Sequence, residues 1–289
     1  MRIRAFAILI LLLSLAACSR PPRVTQAPAK SAADVTLRLA QNLEQKHRVL
    51  DSRQTYESAL SQYRSFGDVP GELSVLAGLA RLAYLEGDSA EYDDLHARMS
   101  FLVENAAPGH VYILQLLDLY RMQQEADYVS LDESAEDSYD FPIHVRMQIL
   151  SYKLQAESYL RPGFNSRRYN DLLRLAGRYR RSLRSDFTAD PSVLSSALYA
   201  MAYHQYLNQS YSTANDHVDE VVALDLLHEN FVGLGYAHWL RGKIHEANQD
   251  GRQALADYVR AEIIFTEYGV DEMVVKTQAA LSRLQGDRQ

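Results

Sequence analysis

The sequence predicts an all-α fold, a solenoid of helical hairpins. Three observations carry that expectation. From Asp34 onward, apolar residues recur at three- and four-residue spacing almost without interruption, the period of an amphipathic helix. Helix-breaking residues punctuate the pattern at Gly67-Asp68, Gly87-Asp88, Pro108-Gly109, Gly163, Asp250-Gly251, Gly269 and Gly286-Asp287, and no alternating strand run lies between them. Finally, Ser52, Tyr56, Ala59, Tyr63 and Gly67 return as Ala254, Tyr258, Ala261, Phe265 and Gly269, each 202 residues later. A weaker copy runs through Ala214, Val218 and Val221, with Ala214 forty residues before Ala254. Self-similarity on this scale marks stacked hairpins that bury one continuous core.

Composition narrows the function classes. The 289 residues include 30 basic and 37 acidic side chains, a formal charge of −7. The apolar share of 47% excludes wholesale disorder. One cysteine, Cys18, excludes an intramolecular disulfide, a CxxC redox pair and any multi-cysteine metal cluster. The acidic balance argues against a nucleic-acid partner. Tyrosine dominates the aromatics, with 19 against 8 phenylalanines and one tryptophan.

Taken in order, residues 1–17 have the features of a signal peptide. Arg2 and Arg4 precede an apolar run from Ala5 to Leu15, broken only by Ser14 and too short to span a bilayer. The run ends in Leu15-Ala16-Ala17-Cys18, which resembles a bacterial lipobox. That resemblance implies cleavage before Cys18, lipidation of Cys18, and membrane attachment through it. Ser19 at the next position, by analogy with enteric sorting, favours the outer membrane, facing the periplasm. Cleavage there removes two arginines, so the 272-residue mature chain carries 28 basic and 37 acidic groups, a charge of −9.

Residues 18–33 hold Pro21, Pro22 and Pro28 and no aromatic residue, the composition of a flexible tether. Residues 34–128 form the first helical block. Residues 129–189 diverge. The stretch 125–140 holds seven acids and no base, expected as a solvated loop, and 161–184 holds eight arginines against Asp171 alone. On a helical wheel, Leu172, Leu175, Ala176, Tyr179 and Leu183 share one arc of about 100°, with Arg167, Arg174, Arg178 and Arg181 opposite. This amphipathic helix is either an ordinary solvated face or a docking stripe for an anionic partner. The last block, 190–289, opens at Asp190-Pro191, an N-cap acceptor followed by proline at the first helical position.

Here the residues carry a family likeness. Gly242, Ala254, Tyr258 and Ala261 occupy the small, small, aromatic and small positions of a tetratricopeptide repeat (TPR). Leu198, Ala202, Ala214, Val218 and Val221 match more weakly. Leu76, Leu79 and Ala80 fit the first helix of a further repeat, whose second helix departs from the pattern at Tyr92, His96 and Met99. With the lipobox, the chain resembles a TPR bacterial lipoprotein. The resemblance implies a membrane-anchored scaffold for protein–protein interaction, serving assembly or regulation of an envelope complex. It further implies that Tyr199, Tyr203, Tyr206, Tyr236, Trp239 and Lys243 line a groove, where large rigid aromatics capture a partner. The competing role for those rings is packing between repeats.

Enzyme signals are weak. There is no HExxH, Walker loop or GxSxG elbow, and Gly233-Leu-Gly235 sits in a helical region where small residues permit close packing. His238 and His245 share a face but stand about 10.5 Å apart along the axis, too far to ligate one ion. His204, His217 and His228 could meet only through the fold. No catalytic residue, metal or cofactor is assigned. Two other classes stay open: a periplasmic glycan- or small-molecule-binding lipoprotein, and an enzyme whose site forms only in the fold.

Overall fold

The computed structural model describes residues 27–134, 140–163, 166–184 and 189–286. Residues 1–17, expected as a signal peptide, Cys18 and linker residues 19–26 therefore lie outside the described residues. Those described contain thirteen α-helices and no strand. The helices are α1 (Pro28–Gln45), α2 (Val49–Ser65), α3 (Val69–Glu86), α4 (Ser89–Ala106), α5 (Val111–Gln124), α6 (Tyr128–Glu133) and α7 (Ile143–Leu160). They continue as α8 (Arg167–Ser182), α9 (Pro191–Leu207), α10 (Tyr211–Leu227), α11 (Phe231–Ala247), α12 (Gly251–Glu267) and α13 (Asp271–Gly286). A short 3-10 turn covers Pro108–His110.

Helices adjacent in sequence pack against each other, and α1, α3, α5, α7, α9 and α11 also touch one another in succession. The odd-numbered helices thus form one layer and their even partners a second, the arrangement of a hairpin solenoid. No helix among the described residues is long and apolar enough to cross a membrane.

The chain reverses between helices by one recurring device. At five of the turns, a residue in the left-handed region is followed at once by a side chain that caps the next helix, Asp68, Asp88, Asp127, Asn230 or Asp250. Gly67 (φ 71°) precedes Asp68, which accepts from the Gly71 amide at 3.0 Å. Gly87 (φ 76°) precedes Asp88, which accepts from Glu91 at 2.9 Å. His47, Ala126, Gln209, Glu229 and Gln249 hold the same backbone conformation without being glycine, so those turns carry local strain. Asp190 caps α9 through the Ser192 amide at 2.8 Å, with Pro191 at the first helical position, as expected.

The 202-residue recurrence is structural. Ser52, Tyr56, Ala59 and Tyr63 on α2, and Ala254, Tyr258, Ala261 and Phe265 on α12, are all at most 1% exposed. Gly67 and Gly269 adopt matching φ values of 71° and 66°. The small residues let the rings in: a Cβ on Gly242 would lie 2.7 Å from the Tyr258 ring, and one on Gly235 would lie 2.9 Å from Phe265. Close packing at Gly235 is the role expected for the Gly-Leu-Gly segment.

Two boundaries differ from expectation. Helix α1 starts at Pro28, inside the 18–33 tether; Pro28 occupies the first helical turn, where its missing N–H is not needed. The acidic stretch is not wholly a loop, because α6 begins within it, capped by Asp127 through the Ser130 amide at 3.1 Å. A contact of long sequence separation also forms, where Lys46 after α1 pairs with Glu229 in the turn between α10 and α11 at 3.1 Å.

Candidate functional site

Residues of α9, α11, α12 and α13 line an open cleft of about 550 Å³. Tyr206 comes from α9, and Trp239, Lys243, Glu246 and Ala247 from α11. Tyr258 reaches in from α12, and Lys276, Ala279, Ala280 and Arg283 complete the wall from α13. Lys243 stands over three rings, 4.5 Å from Trp239, 4.9 Å from Tyr206 and 5.7 Å from Tyr203. Such cation–π geometry holds an ammonium by the negative faces of the rings. Burial lowers the Lys243 pKa, and Glu246 pulls it back up.

At the cleft wall, Arg283 grips Glu246 in a two-pronged contact of 2.9 and 3.0 Å. The Tyr258 hydroxyl donates to the same carboxylate at 2.8 Å. Burial pushes Glu246 up, but the bonds from Arg283 and Tyr258 outweigh it and hold the group below its usual range. This cleft combines apolar aromatic walls with Lys243 over the rings and two ion pairs, Arg283 with Glu246 and Lys276 with Glu272, which suits a polar group carried on an apolar body.

Six groove residues were expected, and the structure divides them. Tyr206, Trp239 and Lys243 line the cleft. Tyr203 is only 7% exposed and belongs to the core. Tyr199 packs edge-on against Tyr236, whose ring in turn meets Phe265 at 5.1 Å, so these two pack between neighbouring helices. A ladder of rings leads toward the cleft, with Tyr128 stacked on Tyr159 at 4.2 Å and Tyr159 against Tyr203 at 5.4 Å.

The arginine stripe falls where the wheel placed it. Leu172, Leu175, Ala176 and Tyr179 are buried, while Arg167, Arg174, Arg178 and Arg181 are exposed on α8. Arg167 and Arg174 pair with Asp171 on their own helix. Acidic Asp132 takes Arg161 and Arg168 instead of the stripe. The stripe lies on an even-numbered helix, apart from the cleft.

The histidines do other work. His204 meets Ser158 and Asn208, at 2.9 and 3.0 Å, and His217 meets the Tyr169 hydroxyl at 2.9 Å. His238 donates from Nδ1 to Asp257 at 2.9 Å, and His245 reaches the other oxygen of that carboxylate at 3.5 Å. The Arg241 and Arg260 guanidiniums complete the ring of partners around Asp257. Among the described residues no cluster of three or more histidine, cysteine or carboxylate side chains could hold a metal ion.

Sequence reasoning missed Glu246, Lys276 and Arg283. A signal for two of them was present: Glu44 and Arg81 stand 202 residues before Glu246 and Arg283, and make the same contacts. Arg81 grips Glu44 at 2.7 and 2.9 Å, and the Tyr56 hydroxyl donates to Glu44 at 2.5 Å.

A second, polar cavity of about 300 Å³ lies between α1 and the start of α9 and end of α10, with Arg38, Asn42, Asp190 and His228 on its walls. Asp225 borders it, 1% exposed, with one oxygen held by Ser195 and Asn230 and the other without a partner. Burial raises the Asp225 pKa to about 6, against the lowering effect of those two bonds. The folded state thus binds a proton more tightly than the unfolded chain. Its stability should rise, by about 2–3 kcal/mol from this group, as pH falls from above 6 to 4. Denaturant titrations across that range should show the gain in the native chain and not in Asp225→Asn; equal slopes would refute it.

No family model matches this chain, and no curated protein matches it in sequence.

Proposed function

We propose that this chain is a lipid-anchored scaffold of the bacterial cell envelope, of the TPR lipoprotein kind, that holds a protein partner beside the membrane. The single observation carrying the recognition role is the cleft, where Lys243 stands over the rings of Trp239, Tyr206 and Tyr203. Aromatics and an ammonium with little rotamer freedom left to lose are suited to capture. Anchoring rests on Leu15-Ala16-Ala17-Cys18, with the outer membrane and the periplasmic side favoured by Ser19. The TPR likeness rests on Gly242, Ala254, Tyr258 and Ala261. The starts of α9 and α11, Pro191 and Phe231, are 40 residues apart, so the hairpins are longer than the 34-residue repeat. The cleft needs no catalytic group for this role, and the chain acts by binding, not by chemistry.

The test is affinity capture from detergent-solubilised envelope with the native chain and with Lys243→Glu. A protein retained by the native chain and lost from the variant supports the scaffold. Its addition should also change the fluorescence of Trp239, the single tryptophan of the chain. Equal retention by both overturns the cleft as the site, and retention of no protein overturns the scaffold.

A further inference from the structure

Residues 161–184 carry eight arginines, and the carboxylates around them do not pair with all. Asp132 takes Arg161 and Arg168, Glu220 on α10 takes Arg180, and Asp171 is shared by Arg167 and Arg174. Arg178, Arg181 and Arg184 are exposed, with no ion-pair partner among the described residues. Arg167 and Arg174 stay 90% and 77% exposed despite their partner. The outer face of α8 and the residues just after it therefore present five guanidiniums to solvent against the one carboxylate of Asp171. This is a positive face on a chain that is acidic as a whole. Leu173 lies at its edge, also exposed.

The C-terminal end of this face lies close to the helix that leads out of the tether. The Tyr179 hydroxyl donates to the Asp190 carbonyl at 3.1 Å and accepts from the Asp190 amide at 3.0 Å. Asp190 shares the walls of the polar cavity with Arg38 of α1. Pro28, where α1 begins, is ten residues before Arg38, about 15 Å along the helix. Another ten residues separate Cys18 from Pro28 and span at most about 35 Å. A bilayer holding Cys18 is thus within reach of the stripe, and the tether raises its effective concentration there. Nothing comparable brings a soluble acidic protein to α8.

We propose that the outer face of α8 docks on the anionic phospholipid surface of the membrane that holds Cys18. This rests on the lipid-anchored reading above and adds an orientation to it. Guanidiniums suit the contact because their paired N–H groups match phosphate oxygens. Leu173 meets the acyl boundary, as apolar residues of interfacial helices do. A lipid on Cys18 holds the scaffold near the bilayer but lets it turn, and the stripe fixes which face is turned inward. Helix α8 does not line the cleft, so docking leaves Lys243 and Trp239 open to the partner. Each arginine at such a surface is worth about a fivefold gain in partition.

The test uses the full lipidated chain in vesicles of phosphatidylcholine, with or without about one-third phosphatidylglycerol. Phenylglyoxal modification of Arg174, Arg178 and Arg181 is followed by mass spectrometry, with exposed Arg252 on α12 as the reference. In the anionic vesicles the three stripe arginines should react at least about fivefold more slowly than in the neutral ones. Arg252 should react equally in both. Salt at about 0.5 M should restore the stripe rates by screening. Arg178→Gln combined with Arg181→Gln removes two exposed charges without touching the buried face of α8, and Arg174 should then react in anionic vesicles as it does in neutral ones. Equal stripe rates in the two vesicle types overturn the proposal, as does slowing that persists in high salt or in the double variant. Slowing that needs an acidic envelope protein added to the vesicles overturns it too. Flotation with the neutral vesicles reads the Cys18 anchor by itself. A chain that floats but shows no slowing loses the docking face and keeps the anchor, whereas a chain that does not float overturns both.

Discussion

Asp257→Ala is expected to destabilise the fold by about 3–5 kcal/mol, the cost of removing one partner from a buried charge cluster. The carboxylate is 3% exposed, is the shared anion of Arg241 and Arg260, and is also reached by His238 and His245. Without it Arg241 and Arg260 lose their shared anion, and the two histidines lose the acceptor that orients them. Asp257→Asn keeps the shape and loses the charge, so a smaller loss is expected. The pH dependence gives a separate check. Burial pushes Asp257 up, but His238 and Arg241 overcome it and hold the group at about 2. A depressed carboxylate contributes its full stability above the unfolded value near 4, and that contribution is lost as pH falls from 4 toward 2. The native chain should lose about 2 kcal/mol from this group across that window, and Asp257→Asn should not. Urea titration at pH 7 measures the first, and titrations at pH 4 and pH 2 measure the second. A loss below 1 kcal/mol for Asp257→Ala at pH 7 would show that the cations escape to solvent.

Tyr258→Ala is the second large effect, at about 3–5 kcal/mol for emptying a closely packed aromatic site. Tyr258→Phe should cost only the hydroxyl's bond to Glu246, about 1–2 kcal/mol. Gly242→Val approaches the same contact from the other side, since its side chain would occupy the space of the Tyr258 ring, costing about 1–3 kcal/mol. The two large changes should not add. With the ring removed, the extra methyl groups fill the void, and the double variant should be more stable than the sum of the single losses. Thermal unfolding of the four proteins decides it, and strict additivity would mean the two residues do not pack together.

The hairpin architecture was legible because helical solenoids repeat their packing chemistry. Tyr56 and Tyr258 announced equivalent sites 202 residues apart before any contact was known. Gly67, Gly87 and Gly269 announced turns, since glycine favours the left-handed backbone. The turns at His47, Ala126, Gln209, Glu229 and Gln249 were silent for the converse reason: tertiary packing holds ordinary residues in a conformation they do not prefer. Pro28 was misread because the same residue suits a tether and a first helical turn, and only the helix that follows distinguishes them. The wheel found the buried face of α8, because one helix determines its own wheel. It could not separate Tyr206 from Tyr203, whose fates depend on α7 and α11. For His238 and His245, spacing argued against one shared metal ion, yet a single carboxylate on the neighbouring helix reaches both.

The contact between Lys46 and Glu229 has a consequence for the order of assembly. Nearly every other interface joins helices adjacent in sequence or one hairpin apart, the local contacts that fold quickly. This one closes a segment of 183 residues, and loop-closure entropy opposes it until the intervening chain is already short in space. An exposed ion pair contributes no more than about 1 kcal/mol, too little to gather that chain by itself. It cannot nucleate folding. The helices from α2 to α10 must form and stack before Lys46 and Glu229 come within reach, so this contact forms after that part of the solenoid, whatever the state of α11–α13.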